Sequence, residues 1–371
     1  MGSSTKELSS KLDYDGKRVS VPAGHAITLI TEIFHNIGCD VNAASTVAQH
    51  LVDTSLCGME SHGVMRTLQY AEQMQTGYLN PHAQPWLDTS DPANEFVDGD
   101  GGIGIPAMQL AYERVIIRAR ELGISSISVL NTGHSGRLGA FAEQAAEKGF
   151  FTICIGGGNR KSWRQVAPHG GARAMLPTNP WCIGLPGGEL GPVVVDFATS
   201  KIAGGWVYAA RSAGARLPED CLIDRDGNPT QDPEDYFNGG AILPAGGHKG
   251  YSLALIGELI AEALLGPIKT ESNWLVIAFD TTKLRAGTQF ESAAEEVLEE
   301  LRNCPPAPGF ERVEIPGERE RNHSQASNGR VAVPERTWRQ ICDLHDRLAQ
   351  AHSSPVWVSP SCAGGYYPEI M

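Results

Sequence analysis

Two short stretches combine an imidazole with groups suited to holding a small anion. In "ESHGVMR", residues 60–66, His62 and Arg66 stand four apart. If Ser61 caps a helix there, both side chains project from one face of its first turns. An imidazole titrates near neutrality and can exchange a proton with a carbonyl or hydroxyl oxygen. A guanidinium grips a carboxylate in fork geometry. Together they suit a 2-oxo acid, with the histidine at the keto oxygen and the arginine at the carboxylate. A capped helix with two solvent-facing polar residues explains the same spacing without a ligand. In "NTGHSGRLG", residues 131–139, His134 lies among small residues between a strand and a helix. Proteins of the α/β class hold ligands at such junctions, and glycines let backbone approach them. A glycine turn carrying an incidental histidine is the plainer alternative.

"GHKGYSLALIGEL", residues 247–259, sets His248 and Lys249 between glycines at the mouth of an apolar helix. Leu253, Ile256, Gly257, Ile260 and Leu264 mark its expected core face. A lysine at the positive end of a helix dipole is unfavourable alone, and a phosphate or carboxylate bound at the free amides would reverse that. An exposed helix start is the alternative. In "GGGNRKSWRQVAPHGG", residues 156–171, Arg160, Lys161 and Arg164 follow three glycines and form the most basic local cluster. They can meet cofactor phosphates or simply face solvent. "DGDGGIG", residues 98–104, fits GxGxxG through Gly99, Gly101 and Gly104. The next strand ends in Asn131, where the dinucleotide fingerprint wants an acidic residue, so a Rossmann phosphate loop is not expected. There is no HExxH, no CxxC pair and no calcium-loop cluster to suggest a metal. A GxSxG hydrolase signature is also missing.

The elements that must position these groups change in texture along the chain. Residues 24–37 have helical spacing, ended by Gly38, and Asp40 can cap a second helix. A third is expected from Ser61 to Gly77. From about residue 95, strands such as "SSISVL", "FFTICIG", "GPVVVDF" and "NWLVIAFD" interleave with helices such as "AMQLAYERVIIRAREL", an α/β pattern with "GPVVVDF" read as a buried strand. "CPPAPGFERVEIPGERERNHSQASNG" reads as a long irregular arm.

A chain of 371 residues with 41% hydrophobic and 20% charged residues suits a globular protein with a large core. A net charge of −13 argues against nucleic acid or anionic membrane surfaces as partners. No apolar run approaches a membrane span, and the polar start lacks a signal-peptide core. The eight scattered cysteines read as thiols in a reducing cytoplasm.

Five blocks stand in a telling order: "SHGVMR", "NTGHSGRLGAFAEQAAEKG", "LPTNPWCIGLPGG", "VVVDFATS" and "GHKGYSLALIGELIAEALLG". Their order resembles the malate/L-lactate dehydrogenase family, the type-2 family unrelated to Rossmann lactate dehydrogenases. That family includes sulfolactate, ureidoglycolate and diketogulonate oxidoreductases and a cyclic-imine reductase. The resemblance covers roughly residues 21 to 345. It implies a non-Rossmann NAD(P)-binding α/β domain with a mixed sheet flanked by helices, plus a helical part formed by both termini. The implied organisation is a tail at 1–20, a helical part at 21–95, a cofactor domain at 96–290 and a returning C-terminal arm at 291–371. It also implies hydride transfer between NAD or NADP and a small carboxylate, a 2-hydroxy or 2-oxo acid, in a homodimer with active sites near the subunit interface.

Carried over residue by residue, His62 and His134 are the candidate acid/base groups and Arg66 stands beside them. Asp196, Ala198, Thr199 and Ser200 match a cofactor-contacting strand end. His248, Lys249 and Gly250 match a cofactor-binding turn, and Pro316, Gly317 and Glu318 a late cofactor contact. The chain departs from its relatives at Gly156–Gly157–Gly158 and in the longer loop after it. Arg137 is another departure, placed to reach a second acidic group on the substrate. These departures leave open a family member that binds cofactor without dehydrogenase activity, or one acting on a cyclic imine or other ketone.

Overall fold

The structure, a computed structural model, describes residues 16–213, 215–284 and 289–353. Strand β1 (Arg18–Pro22) leads into helices α1 (Ala23–Ile37), α2 (Val41–Leu56) and α3 (Arg66–Gln75). Next come β2 (Trp86–Asp88), β3 (Phe96–Asp98), α4 (Gly104–Leu122), β4 (Ile124–Thr132), α5 (Leu138–Glu147), β5 (Phe150–Gly158), β6 (Trp181–Leu185) and β7 (Val193–Phe197). A smaller layer follows, with α6 (Gly204–Ala213), β8 (Leu222–Ile223), β9 (Pro229–Thr230), α7 (Pro233–Phe237), β10 (Ala241–Ile242) and α8 (His248–Glu258). The chain closes with β11 (Ser272–Asp280), α9 (Thr281–Leu284), α10 (Gln289–Arg302), α11 (Glu318–Ala326), β12 (Arg330–Pro334) and α12 (Glu335–Ser353).

The main sheet has seven strands in the order β2-β3-β4-β11-β5-β6-β7. Only β3 and β4 pair in parallel; every other neighbouring pair is antiparallel. A Rossmann sheet is parallel, so the mixed, non-Rossmann sheet is as expected. The strand "GPVVVDF" is an edge strand with alternating burial, not a doubly covered one.

The C-terminal segment returns to the N-terminal helices. Strand β12 pairs antiparallel with β1, so residues 18–20 belong to a strand and not to a tail. The polar start before residue 16 and the segment after residue 353 lie outside the described residues. One core runs from α1 and α2 through the sheet to β12 and α12, and includes Phe34, Leu51, Tyr70, Val129 and Ile341. A second, smaller core gathers Val166, Leu176, Val207, Leu222 and Ile242 in the layer around α6 and α8.

Local signals explain several boundaries. Gly38 ends α1 with φ +123°, and the Asp40 carboxylate caps α2 by accepting from the amides of Asn42 and Ala43. The expected irregular arm contains α11, whose His323 ring is hydrogen-bonded to the Leu56 carbonyl at 2.7 Å.

Helix α8 keeps only part of the expected face: Gly257 is buried and Leu253 and Ile260 are half-buried. Its buried residues are Gly250, Ala254, Gly257 and Glu258, followed by Ala261, while Ile256 and Leu264 are exposed. The reason is close approach to β5. A Cβ on Gly157 would come 2.7 Å from both Ala261 Cβ and Glu258 Oε2, and one on Gly257 would come 3.0 Å from the Gly156 carbonyl. The glycines of the strand admit Ala261 and the Glu258 carboxyl at this contact, and Leu255, Ile256, Leu259 and Leu264 lie outward.

Candidate active site

The site is built where the helical part, the sheet and the smaller layer meet. Residues Glu60–His62 form a single 3-10 turn, and α3 starts only at Arg66. Ser61 therefore caps no helix, and His62 and Arg66 do not share a helical face. Gly63 is the cause: its backbone is extended (φ −91°, ψ −151°) and packs against Ser55, whose hydroxyl accepts from the Val64 amide at 3.0 Å. Arg66 instead folds back, donating from Nε to the Ser61 carbonyl at 2.6 Å and from Nη1 to Gln69 Oε1 at 2.5 Å. Its Nη2 faces Gly205 at the start of α6, where a Cβ would stand 3.7 Å away.

His134 reaches the same place from the loop between β4 and α5. Its ring lies 5.2 Å from the His62 ring, centroid to centroid, at 36°. Its Nδ1 accepts from the Gly136 amide at 3.2 Å and lies 2.6 Å from the Tyr70 hydroxyl. An Nδ1 that accepts from an amide carries no proton, so the neutral ring bears its proton on Nε2. The "DGDGGIG" turn supports this loop from behind. The amides of Gly99, Gly101 and Gly104 donate to the carbonyls of Leu130, Asn131 and His134. Those glycines hold the histidine loop and offer no amide to a phosphate.

Burial and positive charge keep both histidines neutral. Burial, then Arg66, lowers His62 to about 3, and the same two causes hold His134 well below its ordinary value. Burial pushes the Tyr70 hydroxyl well up, so it stays protonated. Its ring is fully buried against Phe34, 6.4 Å away.

Sequence reasoning missed Tyr70 and three further wall residues. Glu271, just before β11, has its carboxyl beside the backbone amide of His134. Burial raises that carboxyl to about 7, with Arg66 and the amide opposing. Tyr78 faces the same carboxyl, and its hydroxyl accepts from Trp163 Nε1 at 2.9 Å. Trp163 comes from the long loop after the three glycines, a departure that was legible; its destination was not. In that loop Arg160 pairs with Glu262 at 2.6 Å, and Lys161 and Arg164 are exposed.

The candidate cofactor residues meet along residues 194–205. The Val194 amide donates to the Pro316 carbonyl at 3.1 Å. Gly317, at φ +98°, packs on Pro192 and Arg321. Glu318 is 8% exposed, its oxygens taken by Arg302 Nε at 2.8 Å and the Ile315 amide at 3.1 Å, so its carboxylate is not on offer to a ligand, while Pro316 is exposed. Asp196 accepts from the Gly139 amide at 2.7 Å, at the start of α5, while keeping an exposed face. Crowding raises its carboxyl, and that amide and Arg137 oppose the rise. Ala198 follows, half-buried, then Thr199 and Ser200, both buried.

The start of α8 seats on this segment. The Ala245 amide donates to the Thr199 carbonyl at 2.9 Å, and a Cβ on Gly250 would stand 2.5 Å from the Thr199 oxygen. His248 and Lys249 are exposed at the lip. The amides of Lys249, Gly250 and Tyr251 already donate to Gly246, Ala245 and Gly247. The expected cradle of free amides is therefore largely closed, and the Lys249 ammonium and His248 ring remain as the groups on offer. Arg137 departs from expectation: 6% exposed, it pairs with Asp53 at 3.0 Å and Glu143 at 3.6 Å and does not reach toward Arg66.

Comparison with known proteins gives one answer throughout. The malate/L-lactate dehydrogenase family matches residues 21–342. A Δ1-pyrroline-2-carboxylate/Δ1-piperideine-2-carboxylate reductase of Pseudomonas putida is 33% identical over 88% of this chain and 97% of its own. An L-lactate dehydrogenase of Cupriavidus necator is 36% identical over 83% and 90%. A solved structure of a malate/lactate dehydrogenase from E. coli, described as putative, superposes with a TM-score of 0.82 at 28% identity, covering 90% of this chain and 96% of that one. The chain belongs to the malate/L-lactate dehydrogenase family, oxidoreductases acting on the CH–OH group of hydroxy acids.

Proposed function

We propose that the protein interconverts a 2-oxo acid and its 2-hydroxy acid, with NAD or NADP as redox partner. The observation that carries this reading is the placement of His62, His134 and Arg66 at one end of the 194–205 segment, whose other end gathers the cofactor candidates. The donor set suits a dinucleotide: an exposed ammonium and imidazole at Lys249 and His248, and an exposed carboxylate face at Asp196 for ribose hydroxyls. Such a cofactor supplies the hydride.

The protein's own groups supply the rest. Arg66 holds the substrate carboxylate through its outward Nη2. His134 meets the substrate oxygen through Nε2, because Gly136 and Tyr70 face Nδ1. Protonated first to the imidazolium, it gives the Nε2 proton to that oxygen and keeps its Nδ1 proton toward the Tyr70 hydroxyl oxygen, and the reverse step returns the proton to Nε2. A bound carboxylate also offsets the Arg66 charge that depresses both imidazoles, which brings their protonation back within reach. His62 lines the other side of the reacting atoms. The chain works as a homodimer that covers Leu255, Ile256, Leu259 and Leu264, which are 39–70% exposed on α8 and the turn after it.

The test follows the loss of reduced-nicotinamide absorbance with NADH and NADPH in turn, over a panel of 2-oxo acids. Δ1-Piperideine-2-carboxylate belongs in the panel, because the Pseudomonas putida relative is a reductase of that imine. Changing His134 to Ala should lower turnover by roughly 10²–10⁴-fold with cofactor affinity unchanged, and His62→Ala should also lower it. Near-normal turnover in both variants ends the assignment.

A further inference from the structure

Glu271 is held at the mouth of β11 by its backbone. Its amide donates to the Thr132 carbonyl at 3.0 Å, and its carbonyl accepts from the Asn159 amide at 2.8 Å. The ends of β4 and β5 thus fix the carboxyl beside His134 and within electrostatic range of Arg66, Tyr70 and Tyr78. One oxygen, Oε2, is buried with no hydrogen-bond partner. Among the described residues no ion pair joins Glu271 to Arg66, and the Nη2 of Arg66 is free of the Ser61 and Gln69 contacts that occupy its other nitrogens. An open acceptor beside the His134 amide and an open donor on Arg66 therefore lie in the same site. A buried carboxyl oxygen without a donor costs stability, and such groups gather where a ligand completes them.

We propose that Glu271 determines substrate specificity: it accepts a hydrogen bond from an N–H or O–H group on the substrate whose carboxylate Arg66 holds. The proposal rests on the 2-oxo acid reading of the site. A substrate with a methyl group at that position leaves the Oε2 unpaired, and one with a donor satisfies it. Discrimination of this kind comes from a polar group built to be filled.

Pyruvate and oxamate form the test pair, since they share a carboxylate and a carbonyl and differ by CH3 against NH2. Both are titrated calorimetrically at pH 8 into the full-length protein loaded with NAD+ or NADP+, with which neither probe reacts. Wild type should bind oxamate about tenfold or more tighter than pyruvate. Glu271→Leu should bring the two within twofold. Glu271→Gln, which keeps the shape and one acceptor oxygen, should retain part of the preference and guards against a misfolded leucine variant. A wild-type ratio that neither variant alters, or no wild-type preference for oxamate, overturns the role of Glu271 while leaving the 2-oxo acid site intact. Failure of wild type to bind either probe overturns that site and the proposal with it.

Discussion

Replacing Tyr70 by phenylalanine removes one hydroxyl and keeps the ring. That hydroxyl lies 2.6 Å from His134 Nδ1, whereas the other partner of this nitrogen, the Gly136 amide, is longer at 3.2 Å. The phenyl ring retains its packing against Phe34, so no cavity larger than an oxygen forms. A net hydrogen bond of this kind contributes roughly 0.5–1.5 kcal/mol. If it serves to fix the ring that moves the proton, its loss should appear in the barrier and lower kcat by about 3- to 10-fold. The cofactor candidates lie along residues 194–205 and at the start of α8, so the dissociation constant for NAD(P)H should not change. Steady-state turnover, cofactor titration and thermal unfolding on one preparation separate these effects. A folded Tyr70→Phe protein with kcat within twofold of wild type would refute the orienting role. So would a kcat loss matched by an equal loss of cofactor affinity.

Two other perturbations follow from features outside the histidine pair. Glu258 is 6% exposed and accepts from Asn179 Nδ2 at 2.7 Å, while burial raises its carboxyl to about 7. A raised carboxyl contributes its stability in full below its unfolded value near 4.5 and loses it as pH climbs through 7. Glu258→Gln should therefore be close to neutral at pH 5 and should stabilise the protein by about 1–3 kcal/mol at pH 8. Urea unfolding at the two pH values measures the difference, and an equal effect at both would contradict it. Leu259, 51% exposed on the outward face of the α8 region, should become a charge inside the proposed homodimer interface when changed to Glu. Sedimentation should then show a shift to monomer, and an unchanged dimer would place the interface elsewhere.

The sequence made the cluster of candidates legible because its chemistry is local. His62, Arg66 and His134 announce themselves by residue type, and the glycines around them mark backbone that something must approach. The α/β class followed from the alternation of strands and helices, and the mixed sheet from what the family resemblance implies. The order of motif blocks marked the family. Two local readings failed for reasons beyond any window of sequence. The helix expected from Ser61 starts only at Arg66, because Gly63 packs against Ser55, a residue of the preceding helix. Ile256 and Leu264 of the expected apolar face of α8 lie outward because the helix packs closely on Gly156 and Gly157 at the end of β5 through Gly257, Ala261 and Glu258.

What the residues alone determined is the inventory of proton-moving and anion-holding groups, together with the elements able to carry them. Which groups meet was decided only in three dimensions. Tyr70 and Glu271 reach His134 from separate segments, Trp163 meets Tyr78, and Arg137 leaves for Asp53 and Glu143. Side-chain chemistry is fixed by covalent structure. Proximity, burial and the resulting charge states depend on long-range packing, which no short stretch of chain encodes by itself.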